Sequence, residues 1–390
     1  MNRRLVFTLF LLALLSLPAP LVALRASTPA HSDGPSPSAI RSFLYTITNP
    51  DGPNEIAAYE RNVETGELVF LATHPTGGRG NGKVVDSQSP LVADSEGSLL
   101  FAVNPGSHDI SVMAIRENGV LELLGTPEPS RGIEPASLAL RNNLLYVANK
   151  GDAFKAPNYS GLVVSGHGVL SKVKLCVTLN IGDDPTQVLF NRDGSILIGI
   201  RFGSGGLDSF SVKSNGKLKP RSALNNERGP FAGLFNPMVN NHLVVADARV
   251  PGAASYLMQS NRSLSRVNVI SNAPERAACW IAIHSNGNRL WVSNTGTNSL
   301  SLFTIDAGGN LRLEGTHNTL AFGRTPFELV LDKDNRFLYQ LNVRAGAQSI
   351  HALRVTDGTQ DAGVADVGAV GLPAGSAPIG LVITTRQGSA

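Results

Sequence analysis

One phrase recurs along this chain: an apolar strand, a tight polar turn, and a second strand that ends in a polar residue. The clearest copies are residues 89–104, 280–294 and 327–342. The six copies end, in chain order, at Asn104, Asn149, Arg201, Asp247, Asn294 and Asn342. These ends lie 45, 52, 46, 47 and 48 residues apart. A repeat of this length, with about four strands in each unit, is typical of a β-propeller.

A seventh copy is divided between the two ends of the chain. Residues 43–49 have the pattern of a second strand without a first, and residues 378–385 have that of a first strand without a second. The sequence therefore predicts an all-β fold, a seven-bladed β-propeller of four-stranded blades over residues 41–385. Pairing of the N- and C-terminal strands closes the predicted ring, and residues 386–390 form a tail. Tandem β-sandwiches, the alternative architecture, would not explain the divided copy.

The first residues have the pattern of an export signal. Arg3 and Arg4 precede the apolar run of residues 5–17, and prolines and small residues follow. We therefore predict a signal peptide over residues 1–26, a flexible leader over residues 27–40, and a secreted or periplasmic protein. The alternative is a membrane anchor, which is disfavoured because the run is short for a bilayer span. We expect no membrane association after signal cleavage.

Charge and cysteine content argue against several kinds of partner. The chain carries a formal net charge of +3, and removal of residues 1–23 with Arg3 and Arg4 leaves +1. A nearly neutral surface argues against a nucleic-acid partner. Cys176 and Cys279 fall on different predicted blades, so no disulfide is expected. No Cys/His cluster has the spacing of a zinc site, so we expect neither a metal nor a cofactor. We also expect the protein to be a monomer.

The repeat brings the start of each inner strand and the end of each second strand to one mouth of the central channel. Arg201 and Asp247 replace Asn at strand ends of adjacent blades, where they either form a salt bridge between the blades or act in catalysis. Glu328, near the start of an inner strand, is the third catalytic candidate and faces either the channel or the neighbouring blade.

Seven further residues at this mouth are candidates for ligand binding. The Asn residues among them either cap turns through backbone hydrogen bonds or contact a ligand. The candidates are Asn104, His108, Asn149, Arg249, Asn294, Asn342 and Arg344. By contrast, His242 is predicted to lie in a solvated turn on the opposite face.

Two phrases carry a resemblance to a known family: Leu-Trp-Val-Ser-Asn-Thr-Gly-Thr-Asn-Ser-Leu-Ser-Leu-Phe over residues 290–303 and Phe-Leu-Tyr-Gln-Leu-Asn over residues 337–342. Together with the repeat, they resemble the lactonase family of seven-bladed propellers, over residues 41–385. That family includes 6-phosphogluconolactonases and carboxymuconate cyclases. The Ala-Cys-Trp phrase at residues 278–280 is similar to one in secreted members. The resemblance implies a small-molecule ligand or substrate, a lactone or an acidic sugar derivative, at the channel mouth.

The resemblance also implies a site made of a His, two Arg and a Glu. In this chain the His place holds Ala136, the two Arg places hold Thr186 and Thr295, and the Glu place holds Arg201. Arg201, Arg249 and Arg344 could rebuild the cationic part from other blades. Two functions stay open. One is a lactonase-like hydrolase or lactonising isomerase with a rearranged site. The other is a non-catalytic propeller that binds a small ligand or a protein or carbohydrate partner. We expect poor hydrolysis of 6-phosphogluconolactone, because its phosphate needs several fixed cations.

Overall fold

The computed structural model describes residues 40–387, apart from residues 167, 169, 173–175, 319–324, 344–347 and 359. The predicted signal peptide, and the leader up to residue 39, lie outside the described residues, as does Arg344. Among the described residues, none belongs to a helix with the length and apolar character needed to cross a membrane.

Seven antiparallel sheets form the ring, one for each blade, and in blades 2 to 7 the first strand in chain order is the innermost. Blade 1 contains Ile40–Ile47, Pro53–Arg61 and Leu68–Arg79, with Ile379–Gln387 as its innermost strand. Blade 2 contains Leu91–Ala93, Leu99–Asn104, Asp109–Ile115 and an outer strand in two pieces, Leu121–Leu123 and Glu128–Pro129. Blade 3 contains Pro135–Arg141, Leu144–Asn149, Asn158–Val164 and a similarly divided outer strand, Leu170–Lys172 and Val177–Thr178.

The remaining four blades are regular. Blade 4 contains Pro185–Phe190, Ile196–Arg201, Gly206–Val212 and Leu218–Asn225, and blade 5 contains Pro230–Phe235, His242–Asp247, Gly252–Met258 and Leu264–Ser271. Blade 6 contains Ala278–Ile283, Arg289–Asn294, Ser299–Ile305 and Leu311–Asn318. Blade 7 contains Thr325–Leu331, Phe337–Val343, Ser349–Val355 and Val364–Gly371, and a short 3-10 turn at Gln360–Gly363 precedes its outer strand.

The two ends of the chain close the ring by sharing blade 1. Phe43 lies opposite Thr384 and Ile47 lies opposite Ile379, in antiparallel register. The pairing continues to Ile40 opposite Gln387. The seven-bladed all-β fold and its closure by the terminal strands are therefore confirmed.

Aromatic side chains on second strands repeatedly bridge neighbouring blades. The Tyr339 hydroxyl of blade 7 donates to the carbonyl of Gly66 in blade 1 at 2.9 Å, and Tyr45 of blade 1 donates to Gly119 in blade 2 at 3.1 Å. Gly66 has a φ of +82°, and a Cβ at this position would lie 2.3 Å from the Phe337 ring. Both the hairpin conformation and the close approach of the ring therefore require glycine. Such contacts fix the spacing between sheets and hence the geometry of the channel mouth.

Candidate functional site

The strand-end Asn residues are buried and hold the strands of their own blades together. In blade 6, the Asn294 side-chain amide donates to Ser299 Oγ and Ser301 Oγ, each at 2.9 Å. Its Oδ1 accepts from Asn272 at 2.8 Å. Three further strand-end residues are at most 1% exposed and also bond to side chains of their own blades: Asn104, Asn149 and Asn342. These bonds favour a structural role over ligand contact.

Arg201 occupies the same strand-end position in blade 4. Its guanidinium forms two hydrogen bonds with the Asp208 carboxylate, Nε–Oδ2 at 2.8 Å and Nη2–Oδ1 at 3.0 Å. A third contact joins Nη1 to Asp183 Oδ1 at 2.9 Å. The pKa of Arg201 is raised: burial alone would lower it, but the hydrogen bonds and charges of Asp208 and Asp183 outweigh burial. The guanidinium is thus neutralised from within the protein.

Asp247 occupies the equivalent position in blade 5, at the end of the second strand, and is fully buried. Its carboxylate accepts from Arg228 Nε at 2.8 Å and from the Asn226 amide at 2.9 Å. Burial raises its pKa, and the hydrogen bond from Arg228 only partly opposes this. The predicted salt bridge between Arg201 and Asp247 is therefore absent, because each charge is paired near its own blade.

The other two described ligand candidates have protein partners as well. Arg249 Nη2 donates to the carbonyls of Phe202 and Gly203 at 2.7 and 2.8 Å, and its guanidinium lies 4.7 Å from the centre of the Phe202 ring. His108 Nδ1 accepts the backbone N–H of Glu134 at 3.2 Å. Both residues lie in loops of the mouth, and their ligand roles remain predictions.

Glu328 faces the neighbouring blades. Its carboxylate is buried and accepts the backbone N–H of Ser89 at 3.1 Å, together with those of Gly380 and Leu381 in blade 1. The residue at the same place in blade 4, Gln187, accepts the N–H of Gly233 in blade 5 at 2.6 Å. Burial raises the pKa of Glu328 to about 8, although the three N–H groups act in the opposite direction. The equivalence with Gln187 indicates a bridge between blades.

Residues 84–89, which we call the plug segment, cross the channel between blades 1 and 2. Ser87 Oγ donates to the carbonyl of Ala136 in blade 3 at 2.6 Å, and its own carbonyl accepts Nε1 of Trp280 in blade 6 at 2.6 Å. The Gln88 N–H donates to the carbonyl of Thr186 in blade 4 at 3.1 Å, and its side chain bonds to the backbone of Ile281 in blade 6. The crevice left between the plug segment and blades 6, 7 and 1 has a volume of only about 10 Å³.

Asp86, an exposed residue of the plug segment, interacts electrostatically with Lys150 and Asp184, and we call these three residues the mouth cluster. Lys150 Nζ lies 2.6 Å from Asp184 Oδ1. Desolvation raises the pKa of Asp86, the charge of Lys150 lowers it, and that of Asp184 raises it. A carboxylate with a raised pKa beside an ammonium group is suited to general base catalysis with charge stabilisation.

A buried thiol lies next to the mouth cluster. Cys279 Sγ is 3.6 Å from Thr295 Oγ1. Burial, with a smaller contribution from the negative charge of Asp86, raises the pKa of this thiol to about 12. Such a thiol is a poor nucleophile at neutral pH. Cys176 and Cys279 are both free thiols.

Comparison with known proteins agrees with this architecture. The family described as Lactonase, 7-bladed beta-propeller, matches residues 253–369. The 6-phosphogluconolactonase of Bacillus subtilis is 21% identical over 309 residues, which cover 78% of this chain and 75% of the relative. The chain is therefore similar to lactonase-family propellers.

Solved structures have the same fold at low sequence identity. The periplasmic gluconolactonase of Pseudomonas aeruginosa is 17% identical to this chain, with a TM-score of 0.73 over 88% of this chain and 99% of that one. A protein from Lactobacillus plantarum is 19% identical, with a TM-score of 0.69 over 89% and 100% of the two chains. At such identities the likeness shows the fold alone.

Two of the four places implied by the resemblance border the plug segment, and a third lies beside Cys279. The carbonyls of Ala136 and Thr186 accept hydrogen bonds from it, and Thr295 contacts the thiol whose pKa the Asp86 charge raises. Sequence reasoning did not select Asp86, although its place five residues before Leu91, where the inner strand of blade 2 begins, puts it near the mouth. Within the described residues, no group of three or more His, Cys, Asp and Glu side chains could hold a metal ion.

Proposed function

We propose that the protein is an exported lactonase-like enzyme that acts on small lactones without a phosphate group. The observation that carries the proposal is the mouth cluster, in which the Lys150 ammonium group lies 2.6 Å from Asp184 and interacts electrostatically with the Asp86 carboxylate. Asp86 would take a proton from the attacking water. Lys150, oriented by Asp184, would stabilise the negative charge that develops on the lactone carbonyl oxygen.

The charges of the mouth favour a substrate without phosphate. Arg201 and Arg228 are each paired with a carboxylate of the protein. Recognition of a phosphate requires cations that are free to form charge-assisted hydrogen bonds with it. The family's two Arg places hold Thr186 and Thr295, and its Glu place holds Arg201. A sugar lactone with hydroxyl groups alone needs fewer cations, and we expect poor turnover of 6-phosphogluconolactone.

Export is part of this proposal. Arg3, Arg4 and the apolar run of residues 5–17 support it, and a fold neighbour from Pseudomonas aeruginosa is titled a periplasmic gluconolactonase. Cleavage would leave a mature protein that begins near residues 24–27. N-terminal sequencing of natively expressed protein tests this point, and an intact Met1 would refute it.

The alternative function is binding without catalysis. The plug segment favours this alternative. It leaves a crevice of only about 10 Å³ beside blades 6, 7 and 1, which restricts entry of a substrate into the channel from the mouth. The absence of the family's His, Arg and Glu set at its usual places points the same way. Saturable ligand binding without turnover would support this alternative.

A lactone panel with matched variants separates these possibilities. Hydrolysis of gluconolactone, galactonolactone and 6-phosphogluconolactone is followed by proton release and corrected for spontaneous hydrolysis.

Asp86→Asn should lower kcat by about 10²- to 10⁴-fold. Asp51→Asn, an exposed carboxylate in a neighbouring turn, should leave kcat unchanged. The wild-type rate should rise with pH through a pKa above the usual range for Asp, because desolvation raises the pKa of Asp86. Full activity of Asp86→Asn would refute its role.

A further inference from the structure

The lower part of the channel, below the plug segment, differs in chemistry from the mouth. It is a cavity of about 330 Å³ between the inner strands of blades 1, 2, 5, 6 and 7. Apolar side chains make up most of its wall, among them Leu91, Leu234, Ile281, Ile283, Leu329 and Leu331. Its volume falls within the range of small-molecule pockets, which are mostly apolar and contain few polar groups.

The upper end of this cavity is closed by polar groups that already have partners. The Gln88 amide exchanges hydrogen bonds with the backbone of Ile281 through Nε2 at 3.4 Å and Oε1 at 3.3 Å. The Glu328 carboxylate accepts backbone N–H groups. An ordered water needs two to four polar partners, and these walls offer few free ones. Water in the cavity is therefore poorly held, and an apolar group should displace it.

The charges at the lower rim of the cavity determine which kind of polar group a ligand could place there. A groove of about 420 Å³ shares Ala93, Val330 and Leu331 with the cavity wall. The ionisable residues of this groove are Asp94, Glu96 and Lys333. Two carboxylates against one ammonium give a net negative rim, which disfavours an anionic head group.

We propose that the lower channel binds a small amphiphile, an unbranched alkyl chain with an uncharged polar end. The chain would occupy the cavity below Gln88, and the polar end would lie in the groove at the lower rim. This site lies on the face opposite the mouth cluster, and its existence does not depend on the proposed activity.

Calorimetric titration of the mature protein with primary alcohols of six to ten carbons tests the proposal. Each added methylene should tighten binding by about two- to fourfold, until the chain fills the cavity. A carboxylate of the same chain length should bind more weakly than the alcohol. Absence of saturable binding by every alcohol, or affinity independent of chain length, would overturn the proposal. Equal affinity for carboxylate and alcohol would overturn the assignment of the head group.

Substitutions in the wall locate the site. Leu331→Asp places a charge at the opening of the cavity and should weaken alcohol binding at least tenfold. Val69→Asp is the matched control, because Val69 is 63% exposed on the outer strand of blade 1, away from the channel. Ile283→Asn, a milder change in the same wall, replaces Leu331→Asp if thermal unfolding shows that this variant does not fold. Wild-type affinity in a folded wall variant would overturn the proposal.

Discussion

Blades 4 and 6 put different chemistry at the same place in the fold. In blade 6 the second strand ends in Asn294, which bonds to Ser299 and Ser301. In blade 4 it ends in Arg201, which pairs with Asp208 in a similar position on the third strand. Both arrangements tie the second strand to the third. A charged residue where neighbouring blades have an amide thus need not mark a catalytic site, because a second substitution can supply its counter-charge.

The largest effect should come from breaking a buried ion pair. Arg228→Ala leaves the fully buried Asp247 carboxylate without its cation, which should lower the free energy of unfolding by about 3–5 kcal/mol. Urea denaturation measures this loss. Arg116→Ala is the control, because the side chains of Arg116 and its partner Glu122 are each 56% exposed, and such exposed pairs contribute under about 1 kcal/mol. Equal losses in the two variants would contradict the comparison.

The second prediction concerns Glu328 and Gln187, a charged and a neutral residue at equivalent positions. Burial raises the pKa of Glu328 from 4.5 to about 8, so the folded state binds a proton more tightly than the unfolded state. The free energy of unfolding should therefore fall as pH rises from about 4.5 to about 8, by up to about 1.4 kcal/mol per pH unit.

Glu328→Gln should remove this slope, because Gln187 shows that an amide can accept the same kind of interblade N–H. Gln187→Glu should introduce a similar slope in blade 4. Denaturation at pH 5 and pH 8 measures both effects. Parallel pH profiles for the wild type and Glu328→Gln would show that Glu328 does not titrate in this range.

A smaller loss is expected at an uncharged strand end. Asn294→Ala leaves Asn272, Ser299 and Ser301 without their shared partner, which should lower the free energy of unfolding by about 1–3 kcal/mol. Thermal and urea unfolding measure the change. A loss as large as that of Arg228→Ala would mean that the charged and uncharged arrangements are equally critical.

The smallest effect on stability is expected for Gly206→Ser, and it should depend on whether Arg201 is present. A Cβ on Gly206 would lie 2.2 Å from Arg201 Nη2, so Gly206→Ser should disturb the Arg201–Asp208 pair. In the background Arg201→Asn with Asp208→Ser, the same change rebuilds the arrangement of blade 6 and should be nearly neutral. A double-mutant cycle should show a coupling of about 0.5–3 kcal/mol. Additive effects would show that Gly206 and Arg201 are independent.

The repeat made the architecture predictable, because turn residues and alternating apolar residues recur at a nearly constant spacing. The divided copy at residues 43–49 and 378–385 predicted the closure of the ring. Individual side chains were less predictable. His242, predicted to be solvated, is buried, and its Nε2 lies 2.6 Å from Ser255 Oγ. The hairpin that contains it packs against Gly309 of the neighbouring blade, a contact that the spacing of one blade does not encode.

The candidate site was less predictable than the fold. The sequence showed that Arg201 and Asp247 break the pattern, but not that Asp208 and Arg228 neutralise them, since these partners lie in other segments. Asp86 was missed because it belongs to no repeat position. It stands beside Lys150 and Asp184 only because the plug segment crosses the channel.

The shared blade 1 also makes completion of the ring depend on the last strand of the fold. Every other blade can form once its own stretch of chain is available, whereas blade 1 remains a three-stranded sheet until Ile379–Gln387 arrives. Contacts between the two ends of a chain are the slowest to form, and an unpaired strand edge invites pairing with other molecules. Only a chain that includes its last strand can therefore close the ring. A chain that stops short of its last strand keeps the inner edge of Ile40–Ile47 exposed, and aggregation or proteolysis would remove it.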